Sequence, residues 1–113
     1  MRNKELIQKN IFLNNGKINY SLVMSQIEEL RAFVLIVETG SLTQAADRMG
    51  IAVSAVSRRL RDLELRLGAA LIQRSTRRLF LNETGQQFYE RAKSILLTLE
   101  DAEQEVQNAG GAL

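Results

Sequence analysis

The chain of 113 residues contains neither cysteine nor histidine. Without them it has no disulfides, no thiolate or imidazole metal ligands, and no Ser-His or Cys-His nucleophile. A site built from carboxylates alone stays chemically open. Yet no paired Asp or Glu sits among glycine-rich or apolar segments that would form a cleft. The sequence therefore argues against an enzyme and calls for no metal or cofactor. Few residues are aromatic, and the hydrophobic and charged fractions are those of an ordinary globular protein with room for one modest core. No apolar run approaches the roughly 20 residues needed to span a bilayer. Within the basic stretch 1–23, Ile11-Phe12-Leu13 is too short for the apolar part of a signal peptide. The expectation is a cytoplasmic protein with no membrane partner, and the absent cysteines agree with it.

What is present is a polarised charge distribution. The net charge is only +2. Residues 54–78 nevertheless hold Arg58, Arg59, Arg61, Arg66, Arg74, Arg77 and Arg78 against Asp62 and Glu64. Residues 83–113 reverse the balance, with Glu83, Glu90, Glu100, Asp101, Glu103 and Glu105 against Arg91 and Lys93. A basic middle beside an acidic tail points to a polyanion-binding surface flanked by a segment that does not touch the polyanion.

The segment Gly40–Leu60 reads as two helices joined by a tight glycine turn. Ser41 with Gln44 forms a capping box that opens a short helix carrying Leu42, Ala45, Ala46 and Met49. Gly50 suits the left-handed position that closes it. The next helix is expected over about Val53–Leu67, closed by Gly68. Its Val56, Leu60, Leu63 and Leu67 line one side, while Ser54, Ser57, Arg58 and Arg61 share the other at i, i+3, i+4, i+7. Hydroxyls and guanidinium groups on a helix buried by its aliphatic face suit the DNA major groove, where Arg pairs with guanine and Ser takes a base edge or a phosphate.

Before this segment, Ser25 and Glu28 give a capping box for a first helix over about Gln26–Glu38, with Ile27, Leu30, Phe33, Val34 and Val37 as its buried stripe. Residues 1–23 lack a sustained period and carry the turn signal Asn14-Asn15-Gly16, so they read as a poorly ordered extension with a short helix near Glu5–Phe12. Met24 reads as the natural start. After the third helix, Ala70–Arg74 and Arg78–Asn82 flank the polar turn Ser75-Thr76-Arg77 and suggest a short β-hairpin tipped by Arg74, Arg77 and Arg78. Such a hairpin beside a helix-turn-helix is a wing able to reach phosphates or a narrow minor groove. A long helix then runs from about Glu83 to Asn108, with Asn82 as N-cap and Gly110-Gly111 as stop. Phe88, Ala92, Ile95, Leu99, Ala102 and Val106 alternate steps of four and three along it, and Leu96 widens this seam. So long a helix exceeds what so small a domain can cover, which points to a second subunit. The expected organisation is an extension (1–23), a mainly α winged helix-turn-helix of three helices plus a hairpin wing (24–82), a linker or dimerisation helix (83–109) and a tail (110–113).

Residues 24–85 resemble the DNA-binding domain of LysR-type transcriptional regulators, and the helix after them resembles that family's linker helix. The carrying residues are Leu30-Arg31-Ala32-Phe33, Gly40–Ala46, Gly50, Ala55-Val56-Ser57-Arg58, Leu63-Glu64, Leu67-Gly68, Leu71, Arg74, Arg77, Leu81 and Thr84-Gly85. The resemblance implies homodimers joined through the linker helix, often pairing into tetramers on double-stranded DNA. It places Ser57 and Arg58 at bases and phosphates, Thr43 and Gln44 against the backbone, and Arg74, Arg77 and Arg78 in the basic wing. Ala52, Val53 and Ser54 stand where the family usually has Ser, Gln, then Pro or Ser. Ala52 forgoes a capping hydroxyl, a loss of about 1 kcal/mol. Val53 forgoes an adenine-reading amide and keeps only an apolar contact such as a thymine methyl. Ile72 replaces a usual Phe, and Asn82 stands where Thr is common. The family's two-lobed effector domain has no counterpart here, so no small-molecule effector site is expected within these residues. The leading expectation is sequence-specific DNA binding by a dimer for transcriptional control. The alternative is an interaction module that heterodimerises with a full-length regulator through the same linker helix.

Overall fold

A computed structural model of the chain describes residues 18–75 and 78–110. The elements run in the order α1 (Tyr20–Thr39), α2 (Leu42–Met49), α3 (Val53–Leu67), β1 (Ile72–Arg74), β2 (Leu79–Leu81) and α4 (Glu83–Gly110). The expected extension before residue 18, the tail 111–113 and the expected turn residues Thr76-Arg77 lie outside the described residues, whereas residues 20–23 of that extension are the first turn of α1.

The first helix begins earlier than its sequence signals predict. Asn19, not Ser25, is the N-cap: its side-chain oxygen accepts the Leu22 N–H at 3.2 Å. Asn is among the strongest capping residues, and no proline or glycine follows to break the helix before Ser25, which lies in its second turn. The expected stripe is also incomplete. Ala32 and Ile36 are buried along with Phe33 and Val34, whereas Ile27 stays outside the core cluster. The reason is that α1 packs against α2, α3, α4 and β2 at once. A helix covered from several directions has no single buried stripe.

The two helices that follow take the boundaries their caps dictate. Ser41 Oγ accepts the Gln44 N–H at 3.2 Å. Gly50, at φ 68°, closes α2 in the left-handed region, where its N–H reaches the Ala46 and Asp47 carbonyls. A side chain here would be strained, so glycine sets the turn into α3. Val56, Leu60 and Leu63 are buried, and Leu67 packs half-buried beside them, as the spacing predicts. Phe33, Ile36, Leu60, Leu63 and Leu71 are the largest fully buried side chains, and Phe33 meets Phe88 of α4 with ring centroids 5.5 Å apart.

The hairpin is antiparallel, pairing Ile72 with Leu81, Gln73 with Phe80 and Arg74 with Leu79. Its base is tied to α3 by one carboxylate: a Glu64 oxygen accepts the Leu71 N–H at 2.6 Å and the Ile72 N–H at 3.3 Å. Asn82 caps α4 by accepting the Gly85 N–H at 2.7 Å and also donates from its side chain to the Ala70 carbonyl at 2.7 Å. Gly85 is required by proximity, because a Cβ there would fall on the Leu71 carbonyl oxygen.

Of the expected seam on α4, three residues belong to the domain's own core. Ala92 is fully buried, and Phe88 and Leu96 pack half-buried against the same cluster. Ile95, Leu99, Ala102 and Val106 are exposed, as are all residues from 97 to 110. At the point where α4 leaves the domain, Glu38 of α1 accepts hydrogen bonds from Tyr89 Oη (2.8 Å) and from Lys93 Nζ. The Lys93 ammonium, and then the Tyr89 hydroxyl, hold the Glu38 carboxyl below its ordinary pKa. Burial and the Glu38 charge raise Tyr89, and Glu38 raises Lys93. No helix among the described residues is long and apolar enough to cross a membrane.

Candidate nucleic-acid interface

The exposed side of α3 is the centre of the site. Ser54, Arg58 and Arg61 are exposed, Ser57 is half-buried, and Val53 stands 41% exposed at the start of the helix. Arg58 makes only a long contact with Asp62, at 4.0 Å, with its side chain three-quarters exposed. A pair that loose and solvated holds the guanidinium weakly. Ala52 gives α3 no side-chain cap, as its lack of a hydroxyl requires.

The arginines of residues 54–78 divide into two groups that their sequence alone does not separate. Arg59 donates to Glu28 at 2.9 Å, and Arg66 donates twice to Glu29, at 3.0 and 2.6 Å. These two are partly buried between α1 and α3 and act as struts. Among the described residues, Arg61, Arg74 and Arg78 form no ion pair and are exposed. Arg77 lies outside the described residues. The free positive charge is therefore narrower than the raw count suggests: among the described residues of 54–78, the arginines not tied to α1 are Arg58, Arg61, Arg74 and Arg78.

Beside α3, Thr43 and Gln44 are exposed in the first turn of α2. The expected capping box is only half made. The Ser41 N–H donates to Thr39 Oγ1 at 3.3 Å rather than to the Gln44 side chain. Among the described residues the Gln44 amide is consequently unengaged, with both donor and acceptor available to an external partner. On the other flank, the Ser75 N–H donates to the Arg78 carbonyl at 2.9 Å, and Ser75 Oγ accepts the Arg78 N–H at 3.1 Å. That closure holds Arg74 and Arg78 on the two arms of the hairpin, next to its tip.

A broad groove runs between the first turns of α1 and the exposed side of α3, with Ser21, Met24 and Ser25 lining it opposite Ser54, Ser57, Arg58 and Arg61. Sequence reasoning missed the α1 residues because it started that helix too late. The signal was Asn19 as a cap, with Ser21 and Ser25 one turn apart on a single face. Among the described residues, no group of three His, Cys, Asp or Glu side chains could hold a metal ion.

A short glycine-turned helix pair, with a polar cationic face on its second helix and a basic two-stranded wing, defines the winged helix-turn-helix class. The family model described as the bacterial regulatory helix-turn-helix protein, lysR family, matches residues 27–86, and the chain belongs to that family. It is 47% identical over 79 residues to the transcriptional regulator CrgA of Neisseria meningitidis, covering 70% of this chain and 26% of CrgA. A transcriptional regulator of Xanthomonas campestris is 45% identical over 74 residues, covering 66% of this chain and 22% of the regulator. The chain thus spans about a quarter of the length of these relatives. Among solved structures, oxidised OxyR of Corynebacterium glutamicum superposes with a TM-score of 0.71 at 34% identity, over 77% of this chain and 27% of OxyR. The BenM DNA-binding domain in complex with DNA matches equally well, with a TM-score of 0.71 at 31% identity, over 77% of this chain and 98% of that domain.

Proposed function

We propose that the chain binds double-stranded DNA sequence-specifically, as a homodimer, to regulate transcription in the cytoplasm. The observation that carries this reading is the division among the arginines. Arg59 and Arg66 are tied to α1, while Arg58 and Arg61 remain outward beside Ser54 and Ser57. In the proposed complex α3 enters the major groove, where Ser54, Ser57 and Arg58 meet base edges and Val53 offers an apolar contact. Thr43 and Gln44 take the phosphates alongside, and Arg74, Arg77 and Arg78 hold the flanking backbone from the wing. The complex of the similar BenM domain with DNA supports the double-stranded DNA reading. The reading unit runs from the start of α1 at Tyr20 to the end of the hairpin at Leu81.

The dimer reading rests on α4. Ile95, Leu99, Ala102 and Val106 recur at i, i+4, i+7, i+11 on its exposed part, so they share one apolar face where the helix has left its domain. Paired α4 helices would set the separation of two half-sites near one or two turns of DNA, about 10 base pairs per turn. The test is selection of bound sequences from a random duplex pool, then titration of the selected duplex and a random one at two salt concentrations. Affinity should fall steeply with salt, since each cation–phosphate contact releases a counterion. Equal affinity for both duplexes, or no salt dependence, would refute the reading.

A further inference from the structure

The groove between α1 and α3 reaches beyond the elements that a helix-turn-helix needs. One wall comes from the first turns of α1, where Tyr20–Ser25 precede the residues 27–86 matched by the family model. That wall presents Ser21 and Ser25, both exposed, with Met24 between them. The opposite wall presents Ser54, Ser57, Arg58 and Arg61. Glu28 and Glu29 also line the groove, but Arg59 and Arg66 neutralise them at hydrogen-bond distance. Asp62 lies against Arg58 only at 4.0 Å. What faces the open space is therefore a set of hydroxyl donors on both sides, the guanidinium groups of Arg58 and Arg61, and the single loosely paired carboxylate of Asp62. The groove is roughly 1040 Å3 and open along its length. An enclosed small-molecule site buries most of its ligand, whereas an open trough of hydroxyls and cations suits a continuous phosphodiester strand.

We infer that the lengthened start of α1 is a second DNA-backbone wall, in which Ser21 and Ser25 donate hydrogen bonds to phosphate oxygens of the strand seated against Arg61. The inference rests on the DNA-binding reading above and adds to it a contact from outside the helix-turn-helix. Hydroxyl–phosphate bonds are neutral on the protein side, so they hold the strand without releasing counterions and without reading sequence.

The test is a titration of the full chain, its Ser21→Ala/Ser25→Ala variant, Arg61→Gln and Arg58→Ala with the selected duplex and a random duplex at two salt concentrations. Circular dichroism confirms that each variant folds; both serines are exposed, so their loss leaves the core intact. The serine variant should bind both duplexes about 5–150-fold more weakly, as expected for two hydrogen bonds of ordinary net strength. Its ratio of selected to random affinity and its salt slope should match those of the unaltered chain. Arg61→Gln should also weaken both duplexes, and it should lower the salt slope by about one for each bound subunit. Unchanged or tighter binding by the serine variant, with Arg58→Ala still impaired, would overturn the second wall and leave the DNA reading standing. A lost preference for the selected duplex in the serine variant would overturn the phosphate assignment. Failure of the unaltered chain to prefer the selected duplex would overturn the DNA reading itself, and the wall with it.

Discussion

Replacing Gly85 by alanine sets two physical effects of opposite sign against each other. Gly85 lies in the first turn of α4 and is buried. By helix propensity alone, Gly→Ala should stabilise the helix by up to about 1 kcal/mol. The structure argues the reverse. A Cβ at Gly85 falls on the Leu71 carbonyl oxygen, with the Leu71 carbonyl carbon at 2.9 Å and Leu81 Cδ2 at 3.0 Å. Two of these three atoms are backbone and cannot rotate away, so α4 has to retreat bodily from the base of the wing. Overpacking of this kind costs about 1–3 kcal/mol. The retreat also threatens the 3.2 Å bond from the Asn82 N–H to the same carbonyl, worth about 1 kcal/mol. After subtracting the propensity gain, Gly85→Ala should destabilise by about 1–3 kcal/mol, a fall in melting temperature of roughly 5–15 °C for a domain of this size. Thermal and urea unfolding followed by circular dichroism, at one fixed protein concentration, measure it. Gly110→Ala is the control, because nothing lies within 4 Å of a Cβ there. It should match the unaltered chain or exceed it slightly. If Gly85→Ala is as stable as the unaltered chain while the control behaves, the close approach of α4 to Leu71 is wrong.

Three further perturbations address the site, the dimer and the clamp at Glu38. Arg58→Ala should weaken binding to the selected duplex by about 1–3 kcal/mol. An equal loss on random DNA, read by titration, would make Arg58 a phosphate contact. Leu99→Asp places a charge on the exposed seam of α4, outside the core, so the domain should stay folded and become monomeric; a dimer in sedimentation would refute the seam. Glu38 has a folded pKa below its ordinary value of 4.5, so its contribution to stability is complete above that value and is lost as pH falls through the lowered one. Glu38→Gln should thus lower the urea midpoint at neutral pH, and the difference from the unaltered chain should shrink below about pH 4. A difference that grows on acidification would contradict the clamp.

Legibility in the sequence followed how local the determining physics is. Gly50 and Gly68 close their helices, and Ser41 opens one, through contacts within a few residues; these were readable. The aliphatic side of α3 was readable because α3 buries a single face. By contrast, α1 buries several faces, so a stripe built on one of them missed Ala32 and Ile36. The start of α1 was misplaced because Ser25 and Asn19 are both competent caps, and only the continuous helix before Ser25 decides between them. The partners of Arg59 and Arg66 lie 31 and 37 residues away. No local spacing rule reaches that far, although the serine and arginine face of α3 was visible from spacing alone. The α4 seam shows the same limit, since its heptad pattern cannot tell which apolar positions the chain covers itself.

The carboxylate of Glu64 has a consequence for how the molecule would measure DNA. It sits in α3 and receives two amide protons from the start of the hairpin, so the base of the wing is fastened to the helix proposed to read bases. Those two bonds would restrict how far the base of the wing can swing relative to the helix. Inserting one base pair between the sequence under α3 and the flank under the wing displaces that flank by about 3.4 Å and rotates it by roughly a tenth of a turn. A flexible wing would follow the displacement, but one clamped at its base loses its grip. In the proposed complex, spacing between core and flank would then become part of what the domain recognises, alongside the bases.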